Sequence, residues 1–380
     1  MNKKKILFLI ESLSGGGAEK VLVTLVNNLD RSKFDITLCC VVNTGKYIST
    51  LNSDVHYTYI IPDISSLKGI KRWYYSFLYH LVYQWLPLKW VYKLFVPQNK
   101  DVEVAFVEGF ATKLLSYSTN RKSKKIAWIH TDLNNNHWTK LVYKNIKEEQ
   151  MCYQQYNQII TVSDTALSAF KRIFKEVRIP IQTLYNPIDS NEILSKGKEK
   201  ISCIKTSKIR LVSVGRLVHQ KAYDRLLRIV NLLIQQNYPI ELWIIGEGEE
   251  RSKLESYIRE NGLGKVVTLW GFQTNPYAYL KYCDLFVCSS VSEGYSTAVT
   301  EALILGLPVI TTDCSGMNEL LLNGKWGVIT ENSEDALYLG LKNILEHPDL
   351  LGYYKYQAQD RGKDFSLLNL LSPIEKILLQ

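Results

Sequence analysis

Short apolar runs alternate with amphipathic helical patterns along this chain, and the alternation starts twice. Residues 5–10, 35–42, 102–107, 125–129 and 158–162 read as strands, with a helix over 17–29. The series restarts with strands at 209–214, 240–245, 266–270, 285–288 and 308–312, interleaved with helices at 224–236, 249–261 and 296–305. Strands separated by helical stretches form βαβ units and parallel sheets. Two doubly wound α/β domains are the simplest architecture, and 380 residues suit two domains. The division falls at Asn186-Pro187 and the polar, lysine-rich stretch that follows. The expected organisation is an N-terminal domain over 1–185, a linker over 186–208, a C-terminal domain over 209–360, and a C-terminal helix over 361–380 packing back on the first domain. Ligands of such sheets bind outside the carboxyl ends of the strands, so the residues after each strand carry the search.

Composition removes several alternatives. With 46% apolar and 22% charged residues the chain is not a disordered one. Its seven cysteines include no C-x-x-C pair, which argues against a disulfide framework and a cysteine zinc site and fits a reducing cytoplasm. The apolar run at 6–10 is too short for a signal-peptide core and reads as the first strand.

Charge is unevenly spread. Residues 1–185 hold 25 Lys and Arg against 14 Asp and Glu, so the whole excess behind the net +9 lies there. The stretch 67–100 has six cations (Lys68, Lys71, Arg72, Lys89, Lys93, Lys100), no acid, and ten aromatics between Trp73 and Phe95. Cations beside Trp and Tyr suit an anionic membrane surface. The competing reading is two ordinary core-packing helices with a solvated basic face. The longest uncharged run, 73–88, is 16 residues and contains His80, Gln84 and Pro87, too short and too polar to span a bilayer. A basic half also raises nucleic acid as a partner, but no nucleic-acid motif accompanies it.

Several motifs follow strands. Gly15, Gly16 and Gly17 open the first helix, where backbone N–H groups can approach an anion; the spacing is not G-x-G-x-x-G, so a dinucleotide oxidoreductase is not indicated, and a plain tight turn remains open. After 209–214 come Gly215, Arg216 and Lys221, two loop cations that suit a diphosphate, though such residues are by default solvated surface. After 285–288 come Glu293, Gly294, Tyr295, Ser296 and Thr297, then Glu301 on the second helical turn. Those carboxylates can reach sugar hydroxyls, and the 294–297 backbone N–H groups stand at a helix's positive end.

At these residues the chain resembles a GT-B glycosyltransferase of glycosyltransferase family 4, the retaining enzymes of bacterial envelope and capsular polysaccharides. The resemblance runs over nearly the whole chain: the Gly15–Gly17 turn, Ile129-His130, Val162-Ser163, Asn186-Pro187-Ile188-Asp189, Val214-Gly215-Arg216 with Lys221, Gly246-Glu247-Gly248, Gly271-Phe272, and Ser292-Glu293-Gly294 with Glu301. It implies two Rossmann-like domains facing a central cleft. It also implies that Arg216 and Lys221 hold the donor diphosphate, Glu301 the ribose, Glu293 and the 294–297 backbone the sugar and phosphate, and Gly271-Phe272 the nucleobase, with Gly15–Gly17, Gly215 and Gly246 at the donor. The Cys314-Ser315-Gly316-Met317 turn departs from the family's commoner Gly/Pro-rich pattern. His130, at a strand's carboxyl end, is where similar enzymes set a histidine against donor sugar and acceptor. Glu108 and Asp132 are acceptor-side candidates, Glu108 being equally a helix-initiating residue.

No Asp-x-Asp follows a strand, so the expectation is no cofactor and no metal, with the diphosphate neutralised by Arg216, Lys221 and a helix N-terminus. The expected function is retaining transfer of a sugar from a nucleotide diphosphate, UDP on family grounds, to a lipid-linked saccharide. The expected location is the cytoplasmic face of the cell membrane, peripherally bound, with no nucleic acid involved. Rival readings are an epimerase or phosphorylase of related architecture, or a catalytically silent sugar-nucleotide-binding partner subunit; the four residues Arg216, Lys221, Glu293 and Glu301 argue against the silent one.

Overall fold

The computed structural model describes residues 3–202 and 206–380. Its first sheet contains β1 (Lys4–Ile10), β2 (Phe34–Asn43), β3 (His56–Pro62), β4 (Val102–Ala105), β5 (Lys124–Ile129), β6 (Gln158–Thr161) and β7 (Ile181–Thr183), in the order β3-β2-β1-β4-β5-β6-β7. The second contains β8 (Ile209–Val214), β9 (Ile240–Ile245), β10 (Val267–Gly271), β11 (Leu285–Cys288), β12 (Val309–Thr312) and β13 (Val328–Thr330), in the order β10-β9-β8-β11-β12-β13. All adjacent strands run parallel. Both sheets therefore step outward from their first strand and then reverse, which opens a crevice at the carboxyl ends of β1 and β4 in one and of β8 and β11 in the other.

Sequence and burial explain the central strands. Ile6–Ile10 of β1 and all of β11 are buried, as expected where helices cover both faces of a parallel sheet. Three strands escape the sequence reading, β3, β7 and β13, and each lies at a sheet edge. An edge strand pairs on one side only and needs no continuous apolar run: β7 and β13 are three residues each, without a buried one.

The chain forms two compact units, Met1–Ile188 with Leu368–Gln380, and Asp189–Leu367. This corrects the expected linker over 186–208. Asp189 caps a helix, Ser190–Lys196, by accepting from the Glu192 N–H, and the Lys196 carbonyl accepts from Asn275 Nδ2 at 3.0 Å, so this stretch is part of the second unit. Cys203–Lys205 of that stretch lie outside the described residues. The expected helix over 361–380 is the helix Leu367–Leu379, preceded by a separate helix, Pro348–Gly362. Helix Leu367–Leu379 joins the first unit: Glu375 accepts from the Asp30 N–H at 3.1 Å and from Lys33 Nζ at 2.8 Å, and Lys124 Nζ donates to the Ile377 carbonyl at 3.0 Å.

The aromatic stretch forms helices Gly69–His80 and Leu88–Phe95 joined by a wide turn at Leu81–Trp85. The core reading holds for Tyr92, Val91 and Val82, which are fully buried. It fails for helix Gly69–His80, which buries no residue and leaves Trp73 71% exposed. Among the described residues no helix is long and apolar enough to cross a membrane.

Candidate functional site

In the second unit, two loops meet at the strand-order reversal. Beyond β8, Gly215 and Arg216 lead to a single turn, His219–Lys221, and Ala222 in the left-handed region (φ 49°) starts the helix Tyr223–Gln235. Beyond β11, Ser289–Ser296 lead into the helix Thr297–Ile304. The loops are laced together: Val291 N–H donates to the Gln220 carbonyl at 2.9 Å, Gln220 Nε2 to the Ser292 carbonyl at 2.7 Å, and Ser289 Oγ to the Lys221 carbonyl at 2.8 Å. Arg225 holds the same loop from beneath through the Ser289 carbonyl.

This lacing brings Lys221 Nζ to 2.6 Å from Glu293 Oε1, which also accepts from Ser290 Oγ at 2.6 Å. Glu293 is buried and Lys221 mostly so. Burial works against a charged lysine, but the Glu293 carboxylate outweighs it and holds the ammonium above the usual lysine range. Arg216, on the same loop, is exposed, and its guanidinium makes no hydrogen bond or ion pair with the described residues. One cation is thus fixed in place and the other is available to an anionic ligand.

Glycines set the backbone approach. Gly246, after β9, has φ 150°, and a Cβ there would lie 1.9 Å from the Gly215 carbonyl oxygen. Gly316 has φ 78°, and its Cβ would lie 2.5 Å from the Gly294 carbonyl oxygen. The Cys314–Met317 turn therefore packs directly on the Gly294-Tyr295 backbone, and Cys314 and Thr312 both donate to the Ser290 carbonyl. The Ser296 side chain accepts from the Val299 N–H at 3.4 Å, capping the helix that carries Thr297 and the buried Glu301. Glu301 accepts from Tyr277 Oη at 3.3 Å. Gly271 ends β10 and is followed by Phe272.

In the first unit, the Gly15–Gly17 turn follows β1 and opens the helix Gly17–Asn28, whose N-cap, Gly16, provides no side-chain cap. His130 follows β5. Its ring is 4.8 Å from Phe106 and stacks on Trp128 at 6.2 Å. Nε2 is buried and meets no partner among the described residues. Burial lowers the imidazole to about 3, opposed in part by the neighbouring Phe106 backbone, and the ring is neutral at pH 7.

The two acceptor-side candidates have their carboxylates engaged within the first unit. Glu108 faces inward: Oε2 accepts from the His130 N–H at 2.8 Å and Oε1 from Trp138 Nε1 at 3.2 Å, because the loop after β5 brings both donors onto it. Asp132 is buried and spends its carboxylate on a local turn, accepting from the Asn134 and Asn135 N–H groups and from Asn135 Nδ2. Both shape the loop that carries His130.

Sequence reasoning missed Glu11, the first residue after β1. Tyr83 Oη donates to its Oε1 at 2.8 Å, and burial, partly offset by that bond, raises its carboxyl. Its place at a strand's carboxyl end is the signal that would have found it. Among the described residues no group of three or more His, Cys, Asp or Glu could hold a metal ion.

Comparison with known proteins adds to this geometry. Residues 196–361 match the sequence model of glycosyl transferases group 1. The N-acetylgalactosamine-N,N'-diacetylbacillosaminyl-diphospho-undecaprenol 4-alpha-N-acetylgalactosaminyltransferase of Campylobacter jejuni is 29% identical over 383 residues, covering 99% of this chain and 100% of the relative. An uncharacterized glycosyltransferase of Methanocaldococcus jannaschii is 31% identical over 320 residues, 73% of this chain and 77% of that one. The crystal structure of Anabaena HepE in complex with UDP and glucose matches with a TM-score of 0.77 at 19% identity, covering 99% of each chain. That likeness establishes the fold as GT-B, two Rossmann-like units with parallel sheets.

Proposed function

We propose that this chain, which belongs to the glycosyl transferases group 1 family, moves a sugar from a nucleotide diphosphate to a lipid-linked saccharide with retention of anomeric configuration and without a metal. The observation that carries the donor assignment is Lys221 fixed 2.6 Å from buried Glu293 at the strand-order reversal, with Arg216 on the same loop unpartnered among the described residues. Arg216 and Lys221 take the diphosphate, with the N-terminus of helix Thr297–Ile304 adding positive potential. Glu301 takes the ribose hydroxyls, Glu293 and the 294–297 backbone the sugar and the phosphate next to it, and Gly271-Phe272 frames the base. The glycine turns at 15–17, 215 and 246 let phosphate or sugar approach the backbone.

In this reading the bond between the anomeric carbon and the diphosphate loosens first, and its electron pair goes to the phosphate oxygen. Preorganised cations facing that developing charge lower the barrier most. The acceptor hydroxyl enters on the same face, and the departing phosphate oxygen takes its proton. Neutral His130, at the carboxyl end of β5, stands on the side of the sugar and the acceptor. UDP is the proposed nucleotide, supported by the Anabaena neighbour's complex with UDP and glucose. The lipid acceptor is supported by the Campylobacter relative, whose name specifies a diphospho-undecaprenol substrate and an alpha linkage.

The proposed place of work is the cytoplasmic face of the membrane. Segment 67–100, with six cations, no acid and its aromatics largely exposed, docks the first unit on anionic lipid. The test is a panel of nucleotide sugars offered with and without polyprenyl-diphosphate-linked saccharides. The reading expects slow hydrolysis of one donor, faster transfer with the lipid-linked acceptor, and an α-linked product by NMR. A protein that turns over none of them, or gives a β-linked product from an α-linked donor, contradicts it.

A further inference from the structure

A second exposed feature of the first unit has the same chemistry as the aromatic segment. The turn Trp138–Leu141 ends on Leu141, which is 91% exposed, the highest value among the large apolar side chains. Lys140, Lys144, Ile146 and Lys147 around it are exposed as well. From 133 to 147 there is no acidic residue, and the two that follow are occupied: Glu148 pairs with Lys113 at 3.0 Å, and buried Glu149 accepts from Thr139 Oγ1 at 2.7 Å and bonds His137 Nε2 at 2.9 Å. A lone exposed leucine needs no explanation. This one stands on a turn braced from inside by His137, Thr139 and Trp138, with Lys113 Nζ bonding the Val142 carbonyl at 2.9 Å.

The turn and the aromatic segment reach the same three residues after β4. Tyr83, from the segment's wide turn, packs on Phe110 with ring centroids 4.2 Å apart. Trp138 donates to Glu108, and its ring lies against Gly109, 2.5 Å from where a Cβ would be. Two basic, apolar-tipped features therefore both pack on Glu108–Phe110.

We propose that Leu141 with Lys140, Lys144 and Lys147 is a second membrane contact of this unit, so that it meets an anionic bilayer at two points rather than through the aromatic segment alone. Leu141 enters the headgroup boundary and the three lysines meet lipid phosphates, only Lys144 having a nearby carboxylate, Glu148, to oppose its charge. Two contacts on a rigid frame also fix the orientation of the crevice end, which a single amphipathic helix leaves free to rock. The inference rests on the membrane docking proposed above for segment 67–100.

The six described cysteines are buried, so a cysteine placed at the surface accepts a fluorophore selectively, with the wild-type chain treated alike as background. Leu141→Cys and Trp73→Cys, each carrying an environment-sensitive dye, are mixed with vesicles of phosphatidylglycerol and phosphatidylcholine. The expected result is a blue shift at both positions and quenching at both by a lipid-borne quencher. In unlabelled protein Leu141→Asp should weaken vesicle binding roughly 10-fold, with the circular dichroism of the wild type. A shift at position 73 alone, with Leu141→Asp binding as wild type, overturns the second contact and leaves the first standing. Silence at both positions overturns the docking itself and this inference with it.

Discussion

At the carboxyl end of β8 the chain fixes Lys221 against buried Glu293 and leaves Arg216 open, whereas at the carboxyl end of β1, the equivalent strand of the other sheet, stand Glu11 bonded to Tyr83 and an uncapped glycine turn. The neighbouring strands differ in the same way. β11 leads to a second carboxylate on a capped helix, Glu301, while β4 leads to Glu108, which faces inward to hold the loop of a neutral histidine. One strand order thus supports two kinds of crevice: one with an exposed cation beside a buried ion pair, and one with a neutral imidazole and carboxylates held by neighbouring side chains and backbone. Topology sets where each crevice lies, and the loop residues set what it can bind.

The sharpest way to break this contrast is to remove the cations. Arg216→Ala and Lys221→Ala should each lower transfer ~10²-fold or more, the scale of one preorganised charge-stabilising group. Stability should separate them. Arg216 has no partner among the described residues, so its loss should leave the thermal midpoint unchanged; Lys221→Ala strands a buried carboxylate and should cost roughly 1–3 kcal/mol, the lower end reflecting the lysine's partial exposure. Calorimetry that finds both variants equally stable would show the pair contributes nothing to the fold.

Gly246→Ala probes the backbone under the same loop. With φ 150° and a Cβ 1.9 Å from the Gly215 carbonyl oxygen, it should cost about 2 kcal/mol or more in urea unfolding and displace Arg216. The equivalent change at the open Gly264, which has nothing within 4 Å, is the control and should be near neutral.

In the other unit the effect depends on pH. The imidazole of His130 is lowered from 6.5 to about 3, so the unfolded chain binds the proton more readily. Its contribution to stability is present above pH 6.5 and is lost as pH falls toward 3. Wild type should therefore lose more stability than His130→Gln across that window, and its NMR ring signal should not titrate near neutrality. A His130 resonance with an inflection between pH 6 and 7 would show an open, hydrated ring. The smallest expected effect is that of chelation: excess EDTA should leave turnover unchanged, and activity restored only by Mg²⁺ or Mn²⁺ would reveal a missed metal site.

The contrast between the units also marks what could be read from residue order. Central strands and the loops after β8 and β11 were legible because a buried parallel strand must be continuously apolar and because Gly-Arg, Lys221 and the Glu293–Glu301 spacing fall directly behind such runs. The strands β3, β7 and β13 were not: β7 and β13 are three-residue edge strands without a buried residue, and β3 is an edge strand whose aliphatic residues are confined to its end. The inward turn of Glu108 was hidden too: its partners, the His130 N–H and the Trp138 indole, lie 22 and 30 residues away. Tyr83–Glu11 spans 72 positions and joins an amphipathic segment to a strand end, a pairing that only the folded sheet creates. Exposure was equally illegible, because an aromatic stripe has the same spacing whether it meets a core or, like Trp73 and Ile70, meets none.

The central claim, that the β8–β11 crevice binds a nucleotide diphosphate through Arg216 and Lys221, is tested most directly by calorimetric titration of UDP, GDP, ADP and TDP into wild type and the Arg216→Ala/Lys221→Ala variant. One nucleotide should bind wild type, and the folded double variant should bind it at least ~10²-fold more weakly. Equal affinity in the two proteins would contradict the assignment.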